Sequence, residues 1–196
     1  MMPVALGFRA QRGGSVVVGV AAGPRILLST FLSTAAEGDR LSLEPYHVAF
    51  EMGREATPEA KAAVAEGRAR QDALAAEGLA RLIGQLEAME CTPVAAALLV
   101  NRAGWITDLM QHSLSDPAHP PVAEGLAVRD ALRFAFGRCG LAVTEMDEKS
   151  LAEAASLELG LPPGEPEARL RAFSAKPWRK EQKLACLAAW LAIAQV

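Results

Sequence analysis

The period of apolar positions changes several times along this chain, and each change marks an element. Residues 3–34 hold three aliphatic and β-branched runs, "VALGFRAQ", "SVVVGVAA" and "RILLSTFLST", separated by Arg12-Gly13-Gly14 and by Gly23-Pro24. Such breaks suit tight hairpin turns, so the pattern predicts three antiparallel strands. Residues 35–56 are polar and irregular, and "EPYHVAFEMG" within them reads as a short helix or as a surface loop. The period then becomes helical. Thr57 suits a cap, Pro58 suits a first helical position, and Ala75, Leu79, Leu82, Ile83 and Leu86 line one face. Thr92 to Asn101, "TPVAAALLVN", is a continuous apolar run, the signature of a strand covered on both faces.

A loop is expected over 102–120, and then a second large helix within "HPPVAEGLAVRDALRFAFGRCG". His119 and two prolines stand at its head, Val128, Ala131, Leu132, Ala135 and Phe136 form its stripe, and Gly140 ends it. "LAVTEM" reads as a short strand, and "DEKSLAEAASLELG" as a helix with Asp147 as cap and Gly160 as stop. "LPPGEP" is a turn and "EARLRAF" a short helix. The last helix is headed by Pro177, with Leu184, Leu187, Ala188 and Leu191 facing inward.

Three antiparallel strands followed by alternating helix and parallel strand is an order that resembles the ribonuclease H-like fold. That fold is an α/β architecture with a mixed five-stranded sheet covered by helices on both faces. The resemblance extends over nearly the whole chain and implies a single domain, residues 1–196. The segments "GFRAQRGGSVVV", "EPYH", "HS" before "VAEGLAVRDAL", and "PWRKEQKLACLAAWLA" also resemble an uncharacterised bacterial protein family of similar length. That likeness supports the fold more than any chemistry, since one fold hosts many functions.

Composition narrows the classes. At 196 residues and 51% hydrophobic content the chain is long enough for one substantial core. A net charge of −3 removes the global basic field of an indiscriminate nucleic-acid binder, though a local basic groove is compatible with it. Cys91, Cys139 and Cys186 are odd in number and widely spaced, which points to a reducing cytoplasm rather than a disulfide framework. No signal peptide is expected, and "LACLAAWLAIAQV" is too short to span a bilayer.

Two carboxylates stand out. Glu124 lies in line with the buried stripe of the second large helix, and stepping back along the last helix reaches Glu181 in the same relation. A carboxylate near a helix N-terminus gains roughly 0.3–1 kcal/mol from the dipole, but a buried one needs a cation, a donor or a metal. Ligand sites in such sheets gather where the parallel strands end. In nucleases of the resembled fold, carboxylates on the first strand, the fourth strand and the last helix hold two divalent ions. Glu124, by its place at that edge, and Glu181, which also matches the last-helix position of the resemblance, are the candidate catalytic residues, with Mg²⁺ or Mn²⁺ as the implied cofactor. Arg9, Asn101, His112, Arg129 and Lys183 are the candidate binding residues. The first strand departs from the pattern, because it carries no Asp or Glu and Arg9 stands near the metal-bridging position.

Two readings follow. In the first, the chain is a non-catalytic, ligand-binding or assembly protein, its glutamates neutralised by Arg9, Arg129 or Lys183. In the second, it is a divalent-metal-dependent nucleic-acid-processing enzyme of nuclease or resolvase type. The partner class is nucleic acid or another phosphate-bearing ligand, and a homo-oligomer is compatible with both. Weaker features add little. "RAQRGGS" lacks the ending of a phosphate-cradling P-loop, no histidine pair has zinc spacing, and Ser113 sits in no nucleophile elbow.

Overall fold

A computed structural model describes residues 1–23, 25–101, 105–173 and 178–196 of the chain. Strand β2 (Gly14–Ala21) pairs antiparallel with both β1 (Met2–Gln11) and β3 (Arg25–Ser33), while β4 (Cys91–Val100) and β5 (Val143–Asp147) are parallel to β1. The sheet order is β3-β2-β1-β4-β5, the mixed five-stranded arrangement expected from the element order. Gln11 pairs with Gly14, which leaves Arg12 and Gly13 as a two-residue turn, and Gly13 supplies its positive φ of 76°.

Alternation along β1 divides the core. Val4, Leu6 and Phe8 face helices α3 (Pro58–Ala88) and α5 (Pro120–Cys139), where the ring of Phe8 meets that of Phe136 edge-on at 4.9 Å. Ala5 faces the other way, with Ala97 and Leu99, toward α6 (Leu151–Glu158), α7 (Glu165–Phe173) and α8 (Lys180–Ala194). Gly7 also lies on this second face. A Cβ built on it would fall 1.8 Å from the carbonyl oxygen of Ala185, so the backbone of α8 rests directly on β1. Ala185, Ala188 and Ala189 are fully buried, and their small side chains permit that approach.

The polar segment before α3 folds into α1 (Arg40–Leu43) and α2 (Pro45–Met52), which settles the short-helix alternative for "EPYHVAFEMG". Tyr46 and Ala49 turn inward against α3 and α5, which is what draws this polar stretch into a helix. The expected 102–120 loop contains a further helix, α4 (Leu109–Ser115), capped by the Asp108 carboxylate on the Gln111 amide. Asp147 proves to be the last residue of β5 and Ser150 takes the cap position of α6. The Asp147 carboxylate instead turns onto the Lys149 amide. Pro177 lies outside the described residues, and the last helix begins at Lys180. β4 is buried from Ala96 to Leu99 but only half-buried over 92–95, because the short β5 pairs with it only from Ala96 onward. Among the described residues no helix is long and apolar enough to cross a membrane.

Candidate functional site

The parallel strands β1, β4 and β5 end at one edge, from which the chain leads on into α4 after β4 and α6 after β5. The Glu148 amide donates to the carbonyl of Val100 at 2.9 Å and fixes the residue just after β5 beside the end of β4. The Arg9 guanidinium reaches across: its Nε donates to Glu148 Oε2 at 3.0 Å and its Nη2 to Oε1 at 3.2 Å. On the opposite side Arg9 Nη1 stands 3.7 Å from Glu181 Oε1. One arginine is thus held between two carboxylates, all three side chains a third exposed or less.

Bidentate, partly desolvated charge pairs are the stronger kind, whereas a 3.7 Å contact is ionic without being a hydrogen bond. Glu148→Gln is therefore expected to lower stability by about 1–2 kcal/mol and Glu181→Gln by about half as much or less, as read from urea unfolding at neutral pH. Equal losses would show that Arg9 does not favour Glu148.

Glu124 has a different task. It lies in the second turn of α5, only 3% exposed, and its Oε1 accepts hydrogen bonds from the amides of Tyr46 at 2.7 Å and His47 at 3.0 Å. Those amides open α2, whose cap residue Glu44 makes no side-chain cap bond of its own, so Glu124 caps α2 from a distant helix. Its Oε2 has no partner. Burial pushes its pKa up to about 7, against the downward pull of the two amide bonds. The Glu44 carboxylate adds to the upward push, and Arg12, at the tip of the β1–β2 turn and itself paired with Glu44, pulls the other way. Glu124 thus belongs to the α3–α5 side of the sheet and Glu181 to the α8 side, and they do not share a set of partners. Sheet topology sends their two helices to opposite faces.

Arg129, on α5, donates from Nη1 to Asn101 Oδ1 at 2.5 Å, which brings those two candidate residues together at the end of β4. Its Nε is buried and without a partner. Burial lowers its pKa, and the repulsion of Arg133 and Arg9 adds to the effect. His112 is not at this contact. It stacks on His119 with ring centroids 4.0 Å apart, and Trp105 meets it edge-on at 5.3 Å. Burial and His119 both lower its pKa. His119 occupies the cap position of α5 but makes no cap bond; its Nδ1 lies 2.9 Å from Ser115 Oγ and 3.0 Å from the His112 carbonyl. Ser113 donates to the Met110 carbonyl. Lys183 is exposed on α8, and Glu181 takes Arg9 as its cation instead.

Glu148 was missed from sequence because "DEK" reads as a helix start. The available signal was positional: Glu148 follows β5 at the same edge where Asn101 follows β4. The pocket beside Asn101, about 700 Å³, is also lined by Tyr46, Arg68, Asp130 and Arg133, residues of three different helices that no local spacing connects. Among the described residues there is no group of three or more His, Cys, Asp or Glu side chains placed to hold a metal.

Comparison with solved structures identifies the architecture. A structure of T. thermophilus RuvC in complex with Holliday junction substrate matches 96% of this chain and 90% of its own, at 15% identity and a TM-score of 0.52. The fold is ribonuclease H-like. A second Thermus thermophilus RuvC structure covers 96% of the chain and 92% of its own at 14% identity, with a TM-score of 0.49. No family model and no curated protein sequence matches. The ribonuclease H-like fold puts a two-ion centre, where it has one, on carboxylates of the first strand, fourth strand and last helix. Here those places hold Arg9, the amide Asn101 and Glu181, which is ion-paired to Arg9. A cation at the centre of the set and one carboxylate among three do not fit a pair of Mg²⁺ ions, which require oxygen ligands and negative charge.

Proposed function

We propose that this chain is a non-catalytic, ligand-binding member of the ribonuclease H-like fold, with residues 1–196 forming one domain of the bacterial family its sequence resembles. The observation that carries this reading is the Arg9 guanidinium, bonded twice to Glu148 and flanked by Glu181, where a nuclease of this fold would gather carboxylates around metal. An arginine there supplies the positive charge that ions otherwise bring, but it has no open coordination position with which to activate water. The edge of the sheet then serves to bind an anionic ligand, phosphate-bearing ones included.

The test combines metal binding and turnover. The purified protein is incubated with Mg²⁺ or Mn²⁺ at millimolar concentration and with four-way junction, duplex and single-stranded DNA and RNA–DNA hybrid. We expect no product and no metal-dependent rise in melting temperature, since a metal bound only by the folded state would raise it by mass action. Steady turnover that disappears in Glu181→Gln overturns the proposal and restores the metal-dependent nuclease.

A further inference from the structure

A charged cavity opens beside Asn101, between the ends of β4 and β5, the middle of α5 and the start of α4. Its volume is about 700 Å³, within the range of small-molecule sites. Three arginines line it, and their positions are not equivalent. Arg68 donates to Asp130 at 2.7 Å and to the Tyr46 hydroxyl at 3.2 Å. Arg133 donates to Asp130 at 2.7 Å and to Glu145 at 2.6 Å. Arg129 has only the neutral amide oxygen of Asn101; among the described residues it has no carboxylate within ion-pair distance, and its Nε is without an acceptor.

Glu148 and Glu145 act on Arg129 only from beyond ion-pair distance, and a half-buried guanidinium without a directly bonded carboxylate is costly, a cost that an anion entering its pocket relieves. The other charges decide what kind of anion. Asp108, Asp130 and Glu145 balance Arg68, Arg129 and Arg133, so the described lining residues carry no net charge. A polyanion therefore gains one favourable contact and meets carboxylates at the next, while a ligand with a single anionic group needs only the contact with Arg129. Ile106, Leu109, Met110 and Leu126 supply the apolar part of the lining.

We infer that this cavity binds a small organic acid, one carboxylate or phosphate monoester carried on an apolar body, with Arg129 as its counter-ion and Asn101 as the group that positions the guanidinium. This deepens the proposed function and rests on it, since a working nuclease would use the same edge for a polynucleotide backbone.

The experiment measures binding of octanoate, phenyl phosphate, inorganic phosphate and a single-stranded oligonucleotide by calorimetry and thermal shift. Wild type is compared with Arg129→Gln and with Asn101→Asp. Saturable binding of octanoate or phenyl phosphate, stronger than that of inorganic phosphate, is expected, and the stronger of the two separates a carboxylate from a phosphate ligand. Asn101→Asp changes one atom and hands Arg129 a carboxylate in place. It should weaken that binding by about tenfold or more without loss of melting temperature, which keeps the test valid even if Arg129→Gln folds poorly. Binding that is undiminished in Asn101→Asp, inorganic phosphate that binds as well as phenyl phosphate, or binding of the oligonucleotide alone would each overturn the inference. Absence of small-acid binding together with absence of nuclease turnover removes this inference and leaves the non-catalytic reading standing; turnover removes the reading itself.

Discussion

Gly7→Ala is expected to destabilise the protein by more than about 3 kcal/mol, to the point of lost soluble yield or a collapsed melting temperature. The reason is backbone on backbone. The added Cβ would lie 1.8 Å from the Ala185 carbonyl oxygen and 2.8 Å from the Ala189 amide nitrogen, and neither can turn aside as a flexible side chain can. α8 would have to lift from β1, opening the fully buried layer that Ala5, Val18, Ala97 and Ala188 fill. Gly125→Ala is the matching control. It sits within α5 with nothing inside 4 Å of its built Cβ, so alanine there should be neutral or stabilising by roughly 0.5–1 kcal/mol. Thermal unfolding by circular dichroism separates the two. A Gly7→Ala protein that melts with wild type would contradict direct contact of β1 with α8.

Glu124→Gln is expected to change the direction in which stability responds to pH. The carboxyl titrates at an ordinary 4.5 when unfolded and near 7 when folded, with burial as the dominant cause. Between those values the folded protein holds a proton that the unfolded chain has released. Stability from this group is therefore complete below pH 4.5 and is lost as pH rises through about 7, up to a limit of about 3 kcal/mol. Glutamine retains an oxygen for the Tyr46 and His47 amides and has nothing to ionise. Urea unfolding at pH 5 and pH 8 should thus show the variant gaining on wild type at the higher pH. Parallel behaviour at both pH values would mean that Glu124 is not held in the low-dielectric site described. Glu124→Ala, which leaves the first amides of α2 without their acceptor, should cost about 1–3 kcal/mol at either pH.

The same glutamate shows where reading the chain residue by residue stops. Its place in an apolar stripe marked it as a carboxylate needing a partner, which it is. The partners are amides 78 and 77 residues earlier in the chain, in a segment too polar and irregular to be read as more than loop or short helix. The same reasoning named three possible cations for Glu181, and the structure sets Arg9 beside it. α4 was missed because seven residues carry too little periodicity to outweigh the loop around them. Asp147 was taken for a cap because Asp before a helical pattern usually is one; strand pairing with β4 claimed it first.

The five strands, the long helices and their order, the turn at Gly13 and the helix stop at Gly140 were written in local patterns. Each depends on one buried face or one permitted backbone angle, and neighbouring residues suffice to encode those. The encounter of Arg9 with Glu148, 139 positions apart, depends instead on β4 lying between β1 and β5 and on helices crossing to chosen faces. Long-range charge pairing leaves no period in the chain, so the ion cluster, the capped α2 and the unpaired Arg129 emerged only once the sheet was assembled.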